Sequence, residues 1–152
     1  MLAPASSAYS DGGRSFTMHT IRLRRPWTKH FVDSDEGAVG EATVQRVDVP
    51  EQGPADRNHE VTLRSFRYQR NFNRPTGLSE TTKVYLRVTT WEGALVSLRV
   101  NEEPCHVQGD SIEVDITDRL GPSNQLELIL RDTENQPALL CGEVTLEIDD
   151  PN

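Results

Sequence analysis

The chain has 152 residues, 26% of them charged and 35% hydrophobic, with a formal net charge of −8. A chain of this length forms one domain that buries about two-thirds of its unfolded surface, and the regular spacing of its apolar residues excludes a disordered polymer. The acidic total disfavours nonspecific binding to nucleic acid or to anionic membranes, and no apolar run approaches the roughly 20 residues that span a bilayer.

The charge falls in blocks: residues 1–31 carry +4, 32–60 carry −6, 61–100 carry +5 and 101–152 carry −11. Blocks of opposite sign are expected to meet across adjacent strands. Residues 1–17 read as a flexible leader rich in Ala, Ser and Gly, without the basic start and apolar core of a secretory signal. The matching expectation is a cytoplasmic protein with two reduced thiols, Cys105 and Cys141, one disulfide being the alternative if the chain is exported. A single domain is expected over 18–150.

Its elements follow in order. Thr20 to Arg24 alternates, Ile21 and Leu23 on one face and Arg22 and Arg24 on the other, and Pro26 ends this strand. Residues 32–60 are acidic and broken by Gly and Pro; one strand is expected near Val44, Val47 and Val49, and Pro54 to Asn58 reads as a mobile tip. Val61 and Leu63 share a phase opposite to that of Phe66, Tyr68 and Phe72, so a bulge or a strand break is expected at Arg64 and Ser65.

Five clear alternations come next. Their apolar faces are Val84, Leu86, Val88; Val96, Leu98, Val100; Ile112, Val114, Ile116; Leu126, Leu128, Leu130; and Val144, Leu146, Ile148. No window sustains a helical apolar period, and at most a short helical turn fits near Asp118 to Leu120. The pattern predicts an all-β, antiparallel two-sheet β-sandwich. With the terminal strands side by side, Arg22 and Arg24 would face Glu143 and Glu147.

Few residues point to chemistry. His19, His30, His59 and His106 have no metal-ligand spacing, and the two cysteines are far from a Cys-x-x-Cys pair. Asp33, Asp35 and Glu36 precede Gly37 but lack the remaining spacing of a calcium loop, so they read as a solvated acidic loop. There is no nucleophile elbow and no glycine-rich phosphate cradle, and the adjacent Cys105 and His106 would point apart on a strand. No catalytic residue, metal or cofactor is expected, and the chain reads as a non-enzyme.

Arg70 shares the inward phase of Tyr68 and Phe72, so it needs an acceptor: a salt bridge at the sandwich rim, or a sugar or carboxylate ligand. Trp91 lies at a strand tip before Glu92 and Gly93, where an indole either stacks on a sugar ring or caps the core. Trp27, after Pro26, reads as a plug for the sandwich end. Asn71, Asn73 and Arg74 flank Phe72 and Pro75 and offer hydrogen bonds in a polar cleft, although Asn beside Pro is also an ordinary turn former.

Four short motifs in order carry a resemblance. They are Arg70, Phe72 and Pro75 at a strand end; Val96 to Asn101 ending in a turn with Glu102 where glycine is usual; Asp115, Ile116, Thr117 and Leu120; and Asn124 with Leu126. The chain resembles the N-terminal sugar-binding domain of family 2 glycoside hydrolases, the β-galactosidase, β-glucuronidase and β-mannosidase group. The resemblance implies a jelly-roll sandwich of galactose-binding-domain-like type. Its matching residues have structural roles: Pro75 stops a strand, Asp115 bonds backbone donors, and Asn124 suits a left-handed turn position. Ile112 stands where that family has an aromatic, and these 152 residues hold no counterpart of the barrel that carries the family's two catalytic glutamates. The expected function is therefore a noncatalytic, stand-alone carbohydrate-binding module using Trp91, Arg70, Asn71, Asn73 and Arg74. The alternative is a structural or protein-interaction domain without sugar binding.

Overall fold

The computed structural model describes residues 16–33, 38–39, 44–52, 64–107 and 109–151. Most of the expected leader, the acidic run Asp35–Glu36, the tip at Pro54 to Asn58, and Val61 with Leu63 lie outside these residues.

Eleven strands and one 3-10 turn form two antiparallel sheets. The strands are β1 (Phe16–Arg22), β2 (Trp27–Asp33), β3 (Ala38–Val39), β4 (Gln45–Val47), β5 (Ser65–Asn73), β6 (Lys83–Val88), β7 (Ala94–Val100), β8 (Glu103–Pro104), β9 (Ile112–Asp115), β10 (Ser123–Arg131) and β11 (Val144–Pro151), with the 3-10 turn at Thr117–Arg119. One sheet runs β1-β11-β6-β9; the other runs β3-β2-β5-β10-β7-β8, with β4 also paired to β2. The expected two-sheet sandwich is the observed architecture.

Alternation explains the core. Val84, Leu86 and Val88 of β6 and Leu126, Leu128 and Leu130 of β10 are wholly buried, and Val144, Leu146 and Ile148 of β11 join them. Apolar side chains on one face of each sheet meet across the interlayer space, and their removal from water drives the assembly. Trp27 is completely buried within this core, with Nε1 donating to the Leu23 carbonyl at 2.7 Å.

The terminal strands do pair: Ile21 lies opposite Leu146 and Arg22 opposite Thr145. Arg22 Nε sits 3.7 Å from Glu143, with both side chains about half exposed, so this pair adds little stability. Glu147 is met differently, by hydroxyl donations from Thr20 and Thr145 at 2.9 Å each, and Arg24 is not its partner.

β7 departs from its expected phase. Leu98 and Val100 are buried, but Val96 is 56% exposed. The register explains this: Ile129 pairs with Ser97 while Leu130 pairs with Leu95, so Val96 is an extra residue in a β-bulge. Leu95 packs on the core in its place. β2 was not expected, because it carries Lys29 and His30 amid its apolar residues and shows no clean alternation. The break near Arg64 coincides with the start of β5 at Ser65.

Two turns follow the residues noted in the sequence. Asp115 Oδ1 accepts from the Thr117 amide at 2.9 Å and from its hydroxyl at 2.5 Å as the chain enters the 3-10 turn. β7 and β8 are joined by Asn101 and Glu102 alone, both with positive φ (54° and 70°). Asn124 takes no such conformation; it lies within β10 opposite Phe72. The left-handed positions belong to the hairpin instead.

Candidate functional site

A cleft of about 550 Å³ lies where β5 finishes and β10 begins. One wall is apolar and comes from the β1-β11 side: Ile21, Leu23 and Leu146. Ile21 and Leu146 are direct cross-strand partners, which sets them side by side. The other wall comes from β5 and β10, where Arg70 lies opposite Leu126, Phe72 opposite Asn124, and Asn73 opposite Ser123. Asn71, Asn101 and Gln125 complete a rim rich in carboxamides.

The rim is held by a side-chain network centred on Asn124, which is 3% exposed. Its Oδ1 accepts from the Gly121 amide at 2.7 Å and from Asn101 Nδ2 at 2.9 Å, while its Nδ2 donates to the Gly121 carbonyl at 3.1 Å. Asn101 in turn donates to the Arg119 carbonyl at 2.8 Å and accepts from the Gln125 amide at 2.9 Å. Two buried or half-buried amides thus tie the hairpin, the 3-10 turn and β10 into one unit, and a satisfied polar network of this kind fixes geometry.

Arg70 is half-buried and points inward as its phase implies. Among the described residues the expected rim salt bridge is not formed: none of their carboxylates pairs with Arg70. Nη1 donates to the Asn71 carbonyl, Nε is shielded from solvent without any acceptor, and burial alone lowers the guanidinium pKa from its ordinary value. Among the described residues no Asp or Glu lines the cleft, and Arg70 is its single charged lining residue.

The other candidates separate. Asn71 and Asn73 border the cleft, but on β5 they alternate with Phe72, so their exposed side chains lie toward the solvent face. Arg74 is exposed and follows the strand; its Nη1 reaches the Leu120 carbonyl only at 3.4 Å, and it does not line the cleft. Trp91 is farther still. Val100 of β7 shares a row with Arg70 through Leu126, whereas Ala94 marks the opposite end of β7. At about 3.3 Å per residue that separation is roughly 20 Å. Trp91 is half-buried against the core and lines a second groove of about 360 Å³ with Leu95, Val96, Cys105 and Val107. Neither cysteine is part of a disulfide, and burial pushes the Cys105 thiol pKa up.

A third cleft, about 380 Å³, holds a charged cluster that the sequence did not reveal. Lys29 Nζ lies 2.8 Å from Glu51, and both side chains are 13% exposed. The Tyr68 hydroxyl donates to the other Glu51 oxygen at 2.7 Å, and Lys29 sits over the Phe66 and Tyr68 rings at 4.9 and 5.2 Å. Nearby, Asp132 accepts from the Ala138 amide at 2.7 Å and the Arg64 amide at 3.1 Å. These carboxylates are occupied by protein donors, so the cluster reads as a structural clamp joining β2, β5 and the segment at Leu140. Lys29 explains why β2 escaped notice: an inward lysine is tolerable only with a partner that lies 22 residues away.

Among the described residues no group of three or more His, Cys, Asp or Glu is placed to hold a metal ion, and no helix is long and apolar enough to cross a membrane. The residues that the sequence missed in the main cleft are the wall of Ile21, Leu23 and Leu146 and the rim at Gln125. Their contribution depends on which strands become neighbours, which periodicity does not encode.

No protein-family model matches the chain, and no curated protein matches its sequence. Solved structures do match. An FMN-binding β-glucuronidase from Facaelibacterium prausnitzii L2-6 aligns over 86% of this chain with 19% identity and a TM-score of 0.67. A Bacteroides fragilis protein assigned as a β-galactosidase aligns over 86% with 15% identity and a TM-score of 0.65, and a Ruminococcus gnavus β-glucuronidase over 93% with 16% identity and a TM-score of 0.58. The aligned portions are only 22%, 23% and 29% of those three chains. The chain therefore shares its β-sandwich fold with one portion of these glycosidases, in agreement with the resemblance carried by its short motifs.

Proposed function

We propose that this chain is a noncatalytic carbohydrate-binding module that holds a sugar in the end cleft. The observation that carries this reading is the composition of the cleft: an apolar wall opposite a polar rim, with one guanidinium that has no carboxylate partner among the described residues. Its volume suits a small ligand. Sugar rings present C–H faces to apolar surface and hydroxyls to polar groups; Ile21 borders the cleft on the apolar side, and Ser123 and Gln125 on the polar side. The fold shared with β-glucuronidases and a β-galactosidase supports the same ligand class by analogy.

Binding to a glycan array, followed by calorimetric titration of each hit, tests this. Arg70 is assigned to the ligand contact, so Arg70→Gln is expected to weaken binding several-fold. Trp91→Ala, at the far end of β7, is expected to leave affinity unchanged. Loss of binding in Trp91→Ala alone would move the site to the second groove, and failure of every glycan to bind would reject the reading.

A second reading, a protein-interaction domain, draws on that second groove. The bulge exposes Val96 beside Trp91, Leu95 and Val107, giving an apolar strip on an otherwise charged surface. Sedimentation of the unaltered protein and of Val96→Ser over a range of concentrations tests it; self-association that Val96→Ser abolishes supports this reading, and a monomer at every concentration removes self-association as its basis.

A further inference from the structure

We infer that the ligand of the end cleft is an acidic sugar, one whose carboxylate docks on Arg70. This rests on the carbohydrate reading above and narrows it. The argument starts from charge. The protein as a whole is acidic, with a net charge of −8, yet among the described residues its end cleft has no acidic lining residue and one arginine. Arginines held at protein rims are normally matched to a carboxylate, because a partly desolvated guanidinium without one is costly. Lys29 is matched to Glu51, Arg64 to Asp132, and Arg67 lies 3.6 Å from Glu127, whereas Arg119 bonds backbone carbonyls. Arg70 has no carboxylate partner among the described residues and alone lines the end cleft as a cation.

The arrangement of donors sharpens the point. Nη1 of Arg70 meets the Asn71 carbonyl. The shielded Nε finds no acceptor, which leaves the charge under-solvated and favours an anion at the terminal nitrogens. A carboxylate meets those nitrogens end-on. Among the described residues the remaining cleft lining is neutral: the Phe72 side and the Ile21–Leu146 wall suit a ring face, and Ser123 and Gln125 lie along the rim for hydroxyls. A simple carboxylic acid would use only the first of these features. A uronic acid or another carboxylated sugar uses all of them.

The test uses the unaltered protein and three acidic probes: trigalacturonate, a hyaluronan tetrasaccharide and 3′-sialyllactose. Each is titrated beside its carboxyl methyl ester, with maltotriose and lactose as neutral sugars. The expected result is binding of at least one acid with a Kd of about 1 mM or tighter, and an ester that binds about tenfold more weakly because a charge-assisted bond is lost. Arg70→Gln is expected to erase the difference between acid and ester. Should that variant fail to fold, the ester comparison on the unaltered protein still decides the matter. Equal affinity of acid and ester, or binding of neutral sugars alone, overturns the acidic ligand while leaving the carbohydrate reading in place. No binding by any probe or by any sugar of the array overturns both.

Discussion

Glu102 occupies a position that an L-residue with a long side chain rarely takes. It follows Asn101 in the two-residue connection between β7 and β8, with φ of 70°. Two-residue hairpins with both central residues at positive φ favour Asn-Gly, because the second residue otherwise pushes its Cβ against the neighbouring carbonyl. Glu102 is exposed and forms no hydrogen bond or ion pair, so replacing it by glycine removes no contact. A left-handed residue costs about 1–2 kcal/mol, and glycine returns about 0.5–1 kcal/mol of that through the greater freedom of its unfolded chain. Glu102→Gly should therefore stabilise the protein by about 0.5–1 kcal/mol, raising the melting temperature by about 1–4 °C for a domain of this size. Thermal melts followed by circular dichroism, with urea midpoints at neutral pH as a second measure, read the effect. Glu102→Ala is the control: it removes the charge but keeps the Cβ, and should show no comparable gain. A Glu102→Gly protein that melts at or below the parent temperature refutes the assignment of strain to this turn.

Four further outcomes are expected. Burial first, and then the adjacent Glu51, push the Tyr68 phenol pKa well above its ordinary value. Above about pH 10 the unfolded chain releases this proton and the folded one keeps it, so stability falls as pH rises, by about 1.4 kcal/mol per pH unit. Urea titrations between pH 9 and 11 should show this slope reduced in Tyr68→Phe, and an identical slope in both proteins would refute it. At neutral pH Tyr68→Phe should cost about 1–3 kcal/mol, because a carboxylate oxygen of Glu51 loses its hydroxyl donor. Gly142→Ala would set a Cβ 2.4 Å from the Thr90 carbonyl oxygen and 2.5 Å from its nitrogen, so a loss of about 2–4 kcal/mol in urea denaturation is expected; an unchanged midpoint would mean that the two backbones separate freely there. Asn124→Ala should cost about 2–3 kcal/mol by leaving the Gly121 amide and Asn101 without their acceptor, and sugar affinity should fall with it as the rim loosens.

The sandwich was legible because alternation is a direct imprint of a sheet with one buried face. β6, β10 and β11 carry it without interruption, and their apolar residues form the centre of the core. Legibility ended where a residue's role depends on a distant partner. Lys29 disguised β2 until Glu51 was placed beside it, and Val96 looked like core because one inserted residue reverses the phase of everything before it. Leu140, fully buried, lies in an irregular segment between β10 and β11 with no period to announce it. For the cleft, Arg70 was visible as an inward arginine from its phase with Tyr68 and Phe72. That it lacks a carboxylate was not visible, since that depends on every neighbour in three dimensions. Trp91 was noticed for its residue type, but sequence proximity to the motif block did not translate into proximity in space.

The hairpin that carries Glu102 has a separate effect on what the second sheet can do at its β8 border. β8 is only two residues long, Glu103 and Pro104, and Pro104 has no amide hydrogen to offer. A passing strand that approached this border would find almost no ladder to extend, and a charged side chain beside it. The same short return that closes the hairpin thus ends the sheet beside Arg99 and Val100 and offers a strand of another molecule almost no ladder at the β8 border.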